Sequence, residues 1–173
     1  MPDPASFASV ALPHLDAAMN LARWLTGSRE EAEDVVQEAM LRALTYFPSF
    51  RGGNARAWVL QIVRNTAYAA LGVKRGLRQV PLADPADDAP GFEPVEPGDD
   101  PETALLRVRE RRALDRLLEA LPPELRETLV LRELEELSYR EIAQVTEAPI
   151  GTVMSRLWRA RRMLARAAQG ETR

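Results

Sequence analysis

Thr152, Ser155, Arg156, Arg159, Arg162 and Arg166 carry side chains suited to hydrogen bonding an ordered polyanion. Projected at about 100° per residue, they share an arc of roughly 120° on one helical face. Val153, Leu157, Ala160 and Leu164 share a narrow arc on the other side. Such a helix can rest its apolar back on a core and offer guanidiniums to the DNA major groove, where arginine bidentate to guanine is the commonest specific contact. No residue set suited to covalent chemistry accompanies it. The chain has no cysteine and one histidine, His14, and it lacks a phosphate-cradling glycine loop. No catalytic residue, metal site or cofactor is therefore expected. His14 reads as a surface or half-buried residue of the first helix.

The elements that must position the basic helix are legible just upstream. Ser138 and Glu141 have the spacing of a capping box, which sets the start of a short helix with Ile142, Ala143 and Val145 turned to a core. Pro149 and Gly151 then punctuate the chain directly before the basic helix, which spans about 152–166. Two helices joined by a tight turn, the second basic, make a helix-turn-helix.

At 173 residues the chain can form one ordinary domain or two small ones. No apolar run approaches the roughly 20 residues of a membrane span, and no signal-peptide layout opens the chain. A cytoplasmic protein without membrane insertion is expected. The net charge of -3 argues against a polyanion partner only until its distribution is read. Residues 39–83 contain no acid but include Arg42, Arg51, Arg56, Arg64, Lys74, Arg75 and Arg78. From 149 onward the only acid is Glu171. Between these basic stretches lies a Pro-, Asp- and Glu-rich strip, and polyanion binding depends on local patches rather than on the sum. With few apolar residues to offset its ordering entropy, residues 79–100 read as a flexible linker. Asp100-Pro101-Glu102 then starts a new helix with an N-cap, a proline and an early acid.

The fold expected is all-α, with two small helical domains, 1–78 and 101–173, joined by the acidic linker 79–100. In the first, Phe7, Val10, Ala11, Leu15, Ala18, Ala22 and Leu25 recur at helical spacing up to Gly27, with Pro13 limiting the first turns. Ser28 and Glu31 form a second capping box ahead of an amphipathic helix carrying Ala32, Val35, Val36, Ala39, Met40, Ala43 and Phe47. After a loop, a third helix turns Ala55, Trp58, Val59, Ile62 and Ala69 inward. In the second domain, Leu114, Leu117, Leu118 and Leu121 mark one helix, and Leu125, Leu129, Val130 and Leu134 mark the next, before the helix-turn-helix.

With these segments in place, the chain resembles the bacterial sigma factors of the extracytoplasmic-function type, which keep only regions 2 and 4 of the sigma-70 family. The resemblance rests on Asp34-Val-Val-Gln37-Glu38, Phe50-Arg51-Gly52, and Trp58 with Ile62 and Arg64-Asn65 in the first half. In the second it rests on Leu121-Pro122, Leu131-Arg132-Glu133, Leu137-Ser-Tyr-Arg-Glu-Ile-Ala143, Gly151-Thr-Val-Met-Ser-Arg156 and Arg159-Ala160-Arg161. With the linker these account for nearly the whole chain, in the family's order and spacing. Met154 departs from a frequent Lys or Arg, and Tyr68-Ala-Ala-Leu71 replaces a stretch that often carries Asp or Asn.

The resemblance implies a factor that joins core RNA polymerase and directs it to promoter DNA, in a stress or envelope response. It implies that the helix after Ser28 docks on the clamp coiled coil of the largest polymerase subunit through Asp34, Gln37, Glu38 and Leu41, and that the second domain meets the flap. It assigns Phe50, Arg51, Asn54, Arg56, Arg64, Asn65, Lys74 and Arg75 to the -10 element, with Asn65 a candidate for a base edge and the cations for phosphates. Trp58, at helical spacing with Ile62, reads as core. Thr152, Ser155, Arg156, Arg159 and Arg162 fall to the -35 duplex. Family members are commonly held inactive by an anti-sigma factor over both DNA-binding surfaces, which adds such a factor to the candidate partners. A stand-alone DNA-binding regulator would leave the first domain without a purpose, and a protein-binding adaptor would leave the acid-free basic segments unexplained.

Overall fold

The computed structural model describes residues 4–77 and 100–170, with side chains described over 6–72 and 100–170. The linker 79–99 lies outside the described residues. Every regular element among those described is helical. Pro4–Ala11 (α1) and Leu15–Thr26 (α2) are two helices where the spacing suggests one. Pro13 lacks the amide an α-helix needs, and the chain passes it in a 3-10 turn, Leu12–His14. His14 is half-buried in that turn. Gly27 closes α2 at φ 74°, its amide bonded to Arg23 O at 2.8 Å.

Arg29–Tyr46 (α3) starts at Ser28, whose hydroxyl accepts from Glu31 N at 3.4 Å, while the Ser28 amide donates to Thr26 Oγ1. Ala32, Val35, Val36, Ala39 and Ala43 are buried, as their spacing requires. Pro48 lies in a closing 3-10 turn, and the loop that follows passes Gly52 and Gly53 at φ 85° and 93°, a region that glycine enters without steric cost. Asn54 Oδ1 accepts from Ala57 N at 2.9 Å and starts Ala55–Leu77 (α4).

The interior of this half is packed from α2, α3 and α4, around Leu21, Leu25, Val35, Val59, Leu60 and Val63. Ala69, expected inward, is exposed, and Ala57, Leu60 and Ala67 are buried instead. The difference follows from α4 being covered on two sides, which a single-face reading does not anticipate.

Pro101–Glu119 (α5) begins at Asp100, whose carboxylate accepts from Thr103 N at 2.8 Å. Pro123–Glu133 (α6), Tyr139–Thr146 (α7) and Ile150–Ala168 (α8) complete the second half. The Ser138 box is fully formed, with Glu141 N to Ser138 Oγ at 3.2 Å and Ser138 N to Glu141 Oε2 at 2.6 Å. Leu118, Leu121, Leu125, Leu129, Leu131 and Ile142 are buried there. Leu114 and Leu134, expected in that core, are each 45% exposed. Only the end of α5 reaches the bundle, and Leu134 is the C-cap of α6, past its core-facing turn.

The halves pack together, α2 against α6 and α4 against α7. Arg126 of α6 ties the junction. Its guanidinium donates to Leu118 O at 3.1 Å, Glu119 O at 2.7 Å and Leu121 O at 2.9 Å, closing α5, and to Trp24 O across the interface at 2.9 Å. A planar five-donor fork suits this task and an ammonium does not. Arg126→Ala is expected to lower unfolding stability by about 2–3 kcal/mol, since charge-assisted bonds are lost and carbonyls are left bare. Arg126→Lys should recover only part of it. Urea denaturation checks both, and a loss below about 0.5 kcal/mol for the alanine variant would contradict this role.

Candidate functional site

Three surfaces carry the side chains singled out above, and the fold treats them differently. On α8, Val153, Leu157 and Ala160 are buried, and Leu164 is half-buried against them. Ser155, Arg159 and Arg162 are exposed opposite that face, with Thr152 half-buried beside them. Arg156 departs from the row. It sits at the edge of the arc nearest the core, is half-buried, and has its Nη1 enclosed by protein without a hydrogen bond. Its charge acts on the buried Glu127 carboxylate.

Trp158 was not among the expected contacts, yet it is 60% exposed on the outer side of α8, and the Arg162 guanidinium lies 5.0 Å from its ring centroid. Its signal in the sequence is a large aromatic four residues before Arg162, outside the apolar arc.

On α3, Asp34, Gln37, Glu38 and Leu41 are all exposed, Leu41 by 59%. Glu38 Oε1 accepts from Arg42 Nε at 2.9 Å along the helix. Beside this face runs a groove of about 390 Å³ between α3 and α4, with Asp34, Glu38 and Arg42 on one wall and Thr66 and Ala70 on the other. Acidic and apolar groups side by side suit a basic helical partner.

The third surface begins at the loop before α4. Phe50 lies 4.7 Å from Trp58 and 6.2 Å from Phe47, and Phe7 adds an edge contact to Phe47 at 5.6 Å. Trp58 is thus half-buried, packed against the core as expected and joined to this aromatic cluster. Arg51 and Asn65 are exposed. The side chains of Lys74 and Arg75 lie outside the described residues.

Asn54, Arg56 and Arg64 come together, but on acids of the second half. Arg64 Nε and Nη2 donate to Glu127 at 2.9 and 3.1 Å. Arg56 Nη2 donates to Glu135 Oε2 at 2.9 Å, and Asn20 Nδ2 donates to the same carboxylate at 2.5 Å. Asn54 Nδ2 donates to Glu141 Oε1 at 2.5 Å, and Gln61 Nε2 to Glu147 Oε1 at 2.8 Å.

Charge is deepest at Glu127, which has no exposed surface. Burial pushes its carboxyl pKa up, against the hydrogen bond and charge of Arg64. Burial works against the Arg64 charge too, but Glu127 outweighs it and holds the guanidinium pKa above its ordinary value. Burial also raises Tyr68, whose ring lies 4.5 Å from the Arg64 guanidinium. At the rim the Ser138 amide holds the Glu141 carboxyl below the usual range. Gln61, Glu127, Glu135 and Glu147 were not anticipated, and Glu141 was read only as part of its capping box. Glu127 had a signal, standing three and four residues before Val130 and Leu131, at a core position of α6.

Two family models match the chain, sigma-70 region 2 over residues 11–75 and sigma-70 region 4 over residues 111–164. The RNA polymerase sigma-H factor of Pseudomonas aeruginosa is 36% identical over 171 residues, covering 96% of this chain and 88% of that protein. The ECF RNA polymerase sigma-E factor of Escherichia coli K12 is 41% identical over 136 residues, covering 76% of this chain and 70% of that protein. Among solved structures, the sigma factor RpoE in complex with the anti-sigma factor NepR from Bartonella quintana aligns with a TM-score of 0.70 at 26% identity, over 91% of this chain and 93% of that one. CnrH in complex with the cytosolic domain of CnrY aligns at 0.67 with 20% identity, over 98% and 92%, a likeness of fold.

The Glu127–Arg64 pair sets a pH dependence. Arg64→Ala leaves a buried carboxylate without its partner, which for such pairs costs about 3 kcal/mol. A carboxyl whose folded pKa is raised contributes stability below its unfolded pKa and loses it as pH rises through the folded value. The loss in Arg64→Ala should therefore be larger at pH 8 than at pH 4, where Glu127 takes up a proton. Denaturant melts at the two pH values test this, and equal losses at both would count against it.

Proposed function

The chain belongs to the sigma-70 family as an extracytoplasmic-function factor with regions 2 and 4, and from that membership we propose how its surfaces divide the work. It is a bacterial transcription initiation factor, not an enzyme, and such factors act with RNA polymerase on promoter DNA. No helix among the described residues is long and apolar enough to cross a membrane. The first half is assigned to core polymerase and the -10 element, the second to the -35 duplex. The observation that carries this reading is α8, whose buried back leaves Ser155, Arg159, Arg162 and Trp158 exposed together. Arginines there can bond guanine edges or phosphates, and the Trp158 ring can lie against a thymine methyl. Thr152 and Arg156, half-buried, fit phosphate contacts at the edge of the groove.

Asp34, Gln37, Glu38 and Leu41 are proposed to dock on the basic coiled coil of the polymerase clamp, and α5 to α7 to meet the flap. Phe50, Arg51, Asn54, Arg56, Arg64, Asn65, Lys74 and Arg75 are proposed to hold the melted -10 strand, cations on phosphates and polar groups on bases. A cytoplasmic site of action and a role in a stress or envelope response follow from the same reading. An anti-sigma partner is proposed by similarity to the RpoE–NepR pair.

Run-off transcription with core polymerase should yield promoter-specific transcripts only when this protein is added. Arg159→Ala and Trp158→Ala should each weaken engagement of the -35 element by about 1–3 kcal/mol while leaving the melting curve in place. Unchanged promoter affinity in both would remove α8 from the readout. Asp34→Ala with Glu38→Ala should lower affinity for core polymerase several-fold without unfolding the chain. Wild-type binding by that variant would move the interface elsewhere.

A further inference from the structure

Beside its arginines, α8 exposes an apolar stripe. Ile150, Met154 and Trp158 are 42%, 53% and 60% exposed. Standing four residues apart, they follow one side of the helix over about 12 Å, at 1.5 Å per residue. In projection the stripe lies between the buried arc of Val153 and Leu157 and the exposed row of Ser155, Arg159 and Arg162. The Arg162 guanidinium, 5.0 Å from the Trp158 ring centroid, joins stripe to row. No acid occurs anywhere on α8, so whatever covers the stripe also meets an unopposed run of cations.

What the helix can read follows from which of its polar groups are free. A recognition helix meets base edges mainly with its N-terminal residues. Among residues 150–158 the one cation is Arg156, half-buried with its Nη1 enclosed by protein. Ser155 Oγ donates to Thr152 O at 3.0 Å, which turns its proton back on the helix. Arg161, alongside the stripe, is held by Glu133 at 2.6 Å. This end of α8 therefore presents mostly carbon and sulfur to the groove, and the free arginines come later. The major-groove group that rewards an apolar contact is the C5 methyl of thymine.

We propose that Met154 and Trp158 select thymine in the -35 element by enclosing its C5 methyl, with Ile150 extending the same apolar surface at the start of the helix. This rests on the assignment of α8 to the -35 duplex, and it names the base feature that the helix prefers. Met154 suits the task because its unbranched thioether adapts to an irregular apolar surface, and Trp158 because its ring offers a broad flat face. Arg159, Arg162 and Arg166, exposed on the adjoining face, are left to phosphates and guanine edges.

The test uses holoenzyme assembled from core polymerase and the full chain, on a labelled duplex of a promoter that it transcribes. Each thymine of the -35 element, on either strand, is replaced in turn by deoxyuridine, which pairs identically and lacks only the methyl. Wild type should bind about fourfold less tightly at one or two positions, the effect of withdrawing one methyl from apolar contact. Met154→Ala and Trp158→Ala should each bind the thymine and uracil duplexes equally at one of those positions. Equal affinity of wild type for every substituted duplex would overturn the proposal, as would uracil sensitivity that survives in both variants. If uracil has no effect and Met154→Ala with Trp158→Ala lowers affinity for core polymerase itself, the stripe is a protein-docking face and the proposal falls. Arg159→Ala separates this failure from that of the underlying assignment. Weaker promoter binding by Arg159→Ala, without any uracil effect, would keep α8 on the duplex and remove only the methyl contact. Unchanged binding by both Arg159→Ala and Trp158→Ala would remove the assignment and the proposal together.

Discussion

A carboxyl with no exposed surface keeps its charge only where cations offset its burial, and for Glu127 the hydrogen-bonded cation, Arg64, comes from the other half of the chain. The arrangement of the closed molecule follows from this pairing. Bringing Arg64 to Glu127 sets α6 near α4, and α7, joined to α6 by a short turn, then lies along α4. From there Glu135, Glu141 and Glu147 fall within reach of Arg56, Asn54 and Gln61. The two basic surfaces consequently part company. That of α4 is covered, and that of α8 stays exposed.

Such an interface gains little from its charges. Taking two charges out of water costs several kcal/mol per ion, and their attraction returns little more than that. The upward shift of Glu127 through burial is that cost seen at one partner. Arg156 Nη1, enclosed near the same carboxylate without a hydrogen bond, adds to it. An apolar junction of equal area would close more tightly. Arg126 works differently, since its four acceptors are backbone carbonyls, and three of them lie within the second half. Opening the interface would cost it only the bond to Trp24.

Local elements were legible in the sequence because local physics fixes them. Ser28, Asp100 and Ser138 start helices where their spacing said, Gly27 ends one, and the α3 and α8 apolar arcs are buried. What could not be read was the packing of one half on the other. Periodicity assigns each helix one inner face, whereas α4 has two, which is why Ala69 was misplaced and Leu60 overlooked. It also treats acids as solvated, so Glu127 and Glu135 drew no attention. Of the surfaces assigned by resemblance, Asp34, Gln37, Glu38 and Leu41 stand together and exposed, as do Ser155, Arg159 and Arg162. Arg156 turns toward the interior, a difference of about one sixth of a helical turn that projection alone resolves poorly.

The division between covered and exposed surfaces bears on the order of events under the proposed assignments. The α3 face is exposed in the closed form, so the first half can meet polymerase without prior opening. The α8 face is exposed as well, so duplex reading does not require opening either. Of the surfaces so assigned, only that of α4 has its polar groups bonded to the other half. A chain that hid α3 would never load, and one that left α4 bare would spread its cations over any nucleic acid it met, since phosphate contacts carry no sequence. Covering α4 alone avoids both faults. It keeps contacts that carry no sequence information covered while the α3 and α8 faces stay exposed.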